Sequence, residues 1–301
     1  MERIGKYVIH KAVVTSGYAR LLLCHDPDLQ VPVAVKLFHP RQDNGPLSPA
    51  LLLNRFLAEA RLLAGFDHHH IIAVKTLEQL EDGRPYFVMP YMAAHFAWEI
   101  GKDYVDPAAA ADERDRPRKV SLARAVGLLR QLSSALSAMH RRGMVHRAVK
   151  PSNILLNARD SGSVKLCDFS MVKLPDRNLP MPDHWMGSPD YAAPEQRENA
   201  TSVTARADVF SLGVLAYRLT TGRLPDTSRG AVDMGADMPA ELAELVRRCT
   251  DPDPALRPGH AGEVLLRLDA VPVQRELSKP VVKIIPRRPT APAAVPVSVT
   301  E

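Results

Sequence analysis

Short alternating or continuous apolar runs dominate the first ninety residues, and helical periodicity dominates the remainder. Tyr7-Val8-Ile9 and Val33-Ala34-Val35-Lys36-Leu37-Phe38 are β-branched or aliphatic and separated by turn residues, which predicts strands. Ser48-Pro49 offers an N-cap and a first-turn proline for a helix through about Leu63, closed by Gly65. Strands are predicted again at Ile71–Leu77 and Tyr86–Met89, with Asp82-Gly83 as the turn between them. Beyond Met89, apolar residues recur at helical spacing over Leu122–His140, Val209–Leu219 and Leu242–Cys249. A β-rich start and an α-rich remainder argue for an α+β chain in two lobes, not an alternating βαβ sheet. Residues 103–118 are a run of charges and alanines, expected to be a solvated insertion. From Val271 onward prolines punctuate a weakly basic segment, expected to be an extended, largely disordered tail.

Composition narrows the function classes. With 46% hydrophobic and 24% charged residues, the chain has material for a sizeable core. Cys24, Cys167 and Cys249 are far apart and odd in number, so neither a disulfide framework nor a zinc spacing is expected, and a cytoplasmic location is. Residues 1–6 carry no apolar stretch of the signal-peptide kind. Arg130 and Arg218 interrupt the longest apolar runs, so no membrane span is expected. A net charge of +5 without clustered aromatic and basic residues argues against a nucleic-acid partner.

The motifs are individually unspecific and collectively ordered. Val33-Ala34-Val35-Lys36 is followed by Glu59 on the predicted helix, then by His146-Arg147-Ala148-Val149-Lys150-Pro151-Ser152-Asn153 and Asp168-Phe169-Ser170. Gly187-Ser188-Pro189-Asp190-Tyr191-Ala192-Ala193-Pro194-Glu195, Asp208-Val209-Phe210-Ser211-Leu212-Gly213 and Arg257-Pro258 complete the series. Over roughly residues 4–270 this order resembles the Hanks-type serine/threonine protein kinase family, particularly its bacterial members.

The resemblance implies a bilobal protein-kinase-like fold: a β-rich N-lobe with helix C over 1–90, a mainly helical C-lobe over 91–270 joined near Pro90–Met92, and the tail over 271–301. It also implies site roles. Lys36 would hold the α- and β-phosphates of ATP and pair with Glu59. Asn153 and Asp168 would coordinate Mg²⁺, and Lys150 would reach the transferring phosphate. Met89 would be the gatekeeper, the Met92 backbone would meet the adenine, and Leu21, Ala34 and Leu155 would sandwich it. Glu195 and Arg257 would form a buried ion pair, and Asp208 would anchor the loop around Ala148.

Departures from the pattern cluster at the chemistry. Ala148 stands where the family has the aspartate that accepts or orients the substrate hydroxyl proton, a role worth about 10²–10⁴ in rate. Counting back from Lys36, the glycine-rich loop falls on Val14-Thr15-Ser16-Gly17-Tyr18-Ala19. Val14, Ser16 and Ala19 occupy its glycine positions, where close backbone approach to phosphate is needed. Ser170 replaces the glycine after Asp168-Phe169. Residues 171–187 contain no Ser, Thr or Tyr, so phosphorylation within that stretch is not expected to switch the protein through Arg147, and Asp176 or Asp183 are alternative partners for it.

Two functions fit these residues. One is a pseudokinase: a regulatory or scaffolding module acting on protein partners, such as an active kinase or signalling complex, with ATP and Mg²⁺ as structural ligands. The other is a low-activity serine/threonine kinase transferring the γ-phosphate of ATP. The tail, with Lys279, Lys283, Arg287 and Arg288, is either a docking segment or plainly solvated. His68-His69-His70 is read as a turn and not a metal site, because consecutive side chains diverge.

Overall fold

The computed structural model describes residues 2–40, 47–103, 112–156, 162–175, 189–226, 234 and 238–273. It opens with an antiparallel sheet. β1 (Arg3–Ile4), β2 (Tyr7–Thr15), β3 (Ala19–Asp26) and β4 (Val31–Phe38) are neighbours in sequence, and after the helix α1 (Pro49–Ala64) come β5 (Thr76–Gln79) and β6 (Pro85–Pro90). The spatial order is β1-β2-β3-β4-β6-β5.

Period-two alternation gives the sheet two apolar faces. Val33, Val35 and Leu37 of β4 join Leu22, Cys24, Tyr86 and Val88 in one buried cluster on the outer side. Ala34 and Lys36 therefore point the other way, toward α1. Cross-strand pairing extends that inner face, with Leu21 and Phe87 opposite Lys36, and Leu23 and Met89 opposite Ala34.

Helix α1 begins as its sequence implies. Ser48 accepts from the Leu51 N–H through its side chain, and Pro49 fills the first turn. Leu52, Phe56, Ala60 and Leu63 form its buried stripe against the sheet, while Glu59 is buried on the same helix. Residues 71–74, read from sequence as the start of a strand, stay outside the first sheet, which the chain joins where Lys75 N–H donates to Val88 O at 2.7 Å. Leu166 instead pairs with this segment: its N–H donates to His70 O, and its carbonyl accepts from Ile72 N–H.

The second lobe starts with β7 (Ala94–His95), α2 (Ala97–Ile100) and α3 (Leu122–His140), the last with the predicted bounds and Ser121 as its cap. β8 (Ile154–Leu156) pairs with β7 on one side and with β9 (Val164–Leu166) on the other, in a three-stranded sheet. Then come α4 (Pro194–Glu198), α5 (Ala205–Thr221), α6 (Ala240–Cys249) and α7 (Ala261–Asp269). α5 is buried over most of its length and ends on Gly222, whose φ of 77° suits glycine. It passes so close to α6 that a Cβ on Gly213 would meet Cys249 at 2.6 Å.

The solvated insertion expected over 103–118 is only partly seen, since 104–111 lie outside the described residues. Its two ends are tied down. Asp103 pairs at 2.6 Å with the fully buried Arg218 of α5, which also donates to Arg118 O and Ile100 O. Arg118 itself donates to the carbonyls of Trp98, Glu99 and Glu113. A buried guanidinium needs several acceptors, and these backbone carbonyls supply them. The tail beyond residue 273, and residues 176–188 with Asp176 and Asp183, lie outside the described residues. Among those described, no helix is long and apolar enough to cross a membrane.

Candidate functional site

The inner face of the first sheet, α1 and the segments around β8 and β9 enclose a cavity of about 950 Å³. Every cavity residue singled out from sequence lines it. Leu21, Ala34, Met89, Met92 and Leu155 form an apolar end, and Lys36, Glu59, Ala148, Lys150, Asn153 and Asp168 form a polar end.

The polar end is built around an ion pair. Lys36 Nζ lies 2.7 Å from both oxygens of Glu59, so strand β4 and helix α1 are locked together. Burial opposes the charge on Lys36, but Glu59 and the nearby Asp168 hold it protonated, above the ordinary lysine range. Asp168 is buried as well, and the Lys36 charge with the Ser170 hydroxyl keeps it below the usual carboxylate range. That hydroxyl donates to Asp168 Oδ1 at 2.6 Å. Asp168 adopts a left-handed φ of 62°, a conformation costing about 1–3 kcal/mol in a residue other than glycine. Phe169 is buried beside it between Phe66 and His146.

The loop carrying Ala148 hangs from Asp208 in the first turn of α5. Asp208 accepts from the backbone N–H groups of His146 (2.7 Å) and Arg147 (2.8 Å) and lies 2.9 Å from His140 Nε2. Burial is overcome by these partners, and Asp208 stays below the ordinary carboxylate range. The anchoring also holds Arg147 at a φ of 63°. Arg147 donates to Met171 O and Ala200 O, and burial pushes its guanidinium down to about 10. Asn153 Nδ2 donates to Ala148 O at 2.9 Å, closing the loop and leaving the amide oxygen as the atom able to meet a cation.

Asp168 and Asn153 thus offer the hard oxygens that Mg²⁺ takes in small number, completing its shell with water and phosphate. Glu59 and Asp168 are the only carboxylates among the described residues lining the cavity. Asp190 and Glu195 do not line it. Glu195 instead meets Arg257 in a two-pronged pair, at 2.7 and 3.0 Å.

Several cavity residues carry no sequence expectation. Tyr18, at the tip of the β2–β3 turn, points into the polar end, and Arg55 sits one helical turn before Glu59. The i,i+4 spacing to Glu59 is a signal that identifies Arg55. His95 and Trp98 line the cavity too, their rings tilted against each other at 5.1 Å, and Cys167 is a further lining residue, its thiol pushed up by burial. Gln196, buried in α4, donates to Arg147 O.

The histidine run is a structural turn. His68 accepts from His70 N–H and lies 3.2 Å from Ser134 Oγ, while His70 meets Val164 O. Among the described residues, no cluster of His, Cys, Asp or Glu could hold a metal by itself.

Comparison with known proteins agrees with this architecture. The protein kinase domain family matches residues 7–266. The serine/threonine-protein kinase Pkn1 of Myxococcus xanthus is 34% identical over 234 residues, covering 76% of this chain and 30% of Pkn1. The serine/threonine-protein kinase PknL of Mycobacterium tuberculosis is 30% identical over 295 residues, covering 92% of this chain and 67% of PknL. PknA of the same species is 29% identical over 312 residues, with 98% and 68% covered. The chain thus spans under a third of Pkn1 and about two thirds of the other two. With its sheet, its central helix and its ion pairs arranged in this way, the chain belongs to the Hanks-type protein kinase family.

Proposed function

We propose that this chain is a pseudokinase, a kinase-fold regulatory or scaffolding module that acts through protein partners in the cytoplasm. It holds nucleotide weakly and does not transfer phosphate efficiently. One observation carries the reading: the residue at the proton-accepting position is Ala148, and among the described residues no carboxylate beyond Glu59 and Asp168 lines the cavity to replace it. Glu59 is committed to Lys36, and Asp168 has the position suited to a cation. Losing such a group costs about 10²–10⁴ in rate, which is about 3–5 kcal/mol of barrier.

In this reading Lys36 faces the nucleotide phosphates, with Glu59 fixing its ammonium. Lys150 approaches the terminal phosphate from the opposite lobe. Leu21, Ala34 and Leu155 pack the base, Met89 closes the back of the pocket, and the Met92 backbone reads the ring edge. Asn153 and Asp168 would hold Mg²⁺, whose charge would offset that of the phosphates. Lobes over 1–90 and 91–270 move as the two jaws of the cleft.

The second reading, a low-activity serine/threonine kinase, is favoured by the closed Lys36–Glu59 pair, since positioning and electrostatics dominate phosphoryl transfer. A radiolabelled-phosphate transfer assay separates the two. Wild type and Lys36→Met should be indistinguishable, and transfer that vanishes in Lys36→Met would end the pseudokinase reading. Ala148→Asp alone should recover little. Adding Val14→Gly, Ser16→Gly and Ala19→Gly should raise the rate further, toward the full 10²–10⁴ expected for a positioned base, by order of magnitude.

A further inference from the structure

The turn between β2 and β3 is bonded to itself. The Ser16 backbone N–H donates to Ala19 O at 2.9 Å, and the Ser16 hydroxyl donates to the same oxygen at 3.1 Å. The Ala19 N–H donates back to that hydroxyl at 3.2 Å. The Ser16 and Ala19 amides are therefore both satisfied inside the turn. The backbone of Tyr18 is fixed too, its carbonyl accepting from His39 N–H at 2.8 Å.

With the turn held this way, the Tyr18 side chain goes inward. It packs against the main core and lines the polar end of the cavity. It shares that end with Lys36, Glu59, Asp168 and Ser170. The outer rim is apolar: Val13 and Val14 are 46% and 55% exposed on one side, and Trp98 is 60% exposed on the other.

We propose that Tyr18 sets the ligand class of this cavity: its ring lines and narrows the phosphate end, so the cavity accepts a neutral, flat aromatic ligand of the nucleoside type and disfavours the triphosphate. This rests on the nucleotide-pocket reading of the cavity. A triphosphate has to displace a partly buried aromatic ring and then finds the Ser16 and Ala19 amides already bonded. A nucleoside needs only the apolar end, where Leu21, Ala34, Met89 and Leu155 pack a ring with Tyr18 undisturbed.

Titration calorimetry on the full chain, with adenosine and with ATP·Mg²⁺ as probes, tests this. Wild type should bind adenosine at least about tenfold more tightly than ATP. Tyr18→Ala should tighten ATP by at least about tenfold while moving adenosine by less than about threefold. Tyr18→Phe should behave as wild type, because the ring and not the hydroxyl does the excluding. Ser16→Gly, which frees the turn without touching the ring, should shift the preference toward ATP and guards against a folding defect in Tyr18→Ala. ATP binding that appears only in Tyr18→Ala would also support the proposal. A wild-type preference for ATP, or an adenosine-to-ATP ratio unchanged in Tyr18→Ala, would overturn the role of Tyr18 and leave the nucleotide pocket standing. Silence toward both probes in every variant would overturn the pocket reading and this proposal together.

Discussion

The two sides of the cavity have different fates when a residue is exchanged. On the supporting side Lys36 meets both Glu59 oxygens, Asp208 holds two backbone amides and His140, and Glu195 grips Arg257 with two hydrogen bonds. On the reacting side Ala148 presents a methyl group, and the β2–β3 turn satisfies itself. Removing one partner of a buried charge pair strands the other at a cost of several kcal/mol. Replacing an aspartate that faces a cavity, or a loop glycine in a solvent-facing strand end, strands nothing. On the pseudokinase reading proposed above, a chain that must fold but need not turn over can lose the second set and not the first.

That contrast is most directly broken at Asp208. Asp208→Ala leaves the His146 and Arg147 amides buried without their acceptor, so the unfolding free energy in urea should fall by about 3–5 kcal/mol. A loss below about 1 kcal/mol, the scale of an ordinary hydrogen bond, would show that the supporting side is free of this constraint.

The Lys36–Glu59 pair should sharpen the same point at a smaller scale. Glu59 is only 2% exposed, so Lys36→Met leaves it buried beside an apolar side chain. The cost should be about 2–3 kcal/mol, less than for a group forced to stay charged, because Glu59 can take up a proton. The double variant Lys36→Met, Glu59→Met should recover most of that loss, since an apolar pair of similar volume needs no compensation. A double variant no more stable than the single one would mean that the pair contributes more than mutual neutralisation.

Much of this architecture is readable from sequence because it is local or spaced by rule. Ser48-Pro49 marks the start of α1, and the helical repeat marks α3 from Leu122 to His140. The order of Lys36, Glu59, Ala148, Asn153 and Asp168 points to a shared cavity. The features that escape such reading depend on distant partners. Residues 71–75 have strand-like composition, yet their flank pairs with β9, nearly a hundred residues away. Asp103 and Arg118 look like members of a solvated charge run until Arg218, buried on α5, draws one carboxylate and several carbonyls around itself. Tyr18 is one aromatic in a degenerate loop, and its backbone is held by His39, some twenty residues further along the chain.

Acid provides the finest probe of the difference, because His146 links the two sides. Its ring is fully buried, its Nδ1 accepts the Ala148 N–H at 3.2 Å, and its Nε2 lies 3.2 Å from Cys167 O. This pattern requires the neutral ring with the proton on Nε2. Burial pushes its pKa below the ordinary histidine value. Asp208 and Asp168 favour the charged form without overcoming burial, and His140 opposes it. Between that lowered value and about 6.5, the unfolded chain binds a proton that the native chain refuses, so stability is full above about pH 6.5 and declines as pH falls. His39, His68 and His95, also lowered chiefly by burial, act in the same direction. His146 should contribute up to about 1 kcal/mol over the first unit of acidification. Asp208, held below the ordinary carboxylate range, adds its own loss only below about pH 4. His146→Asn offers an amide oxygen to the Ala148 N–H and does not titrate. Its unfolding free energy should therefore fall less steeply than wild type between about pH 6.5 and 5.5, by about one group's share. Equal slopes would mean that the loop beneath Ala148 tolerates a charged His146, and that it is less tightly held than the Asp208 bonds imply.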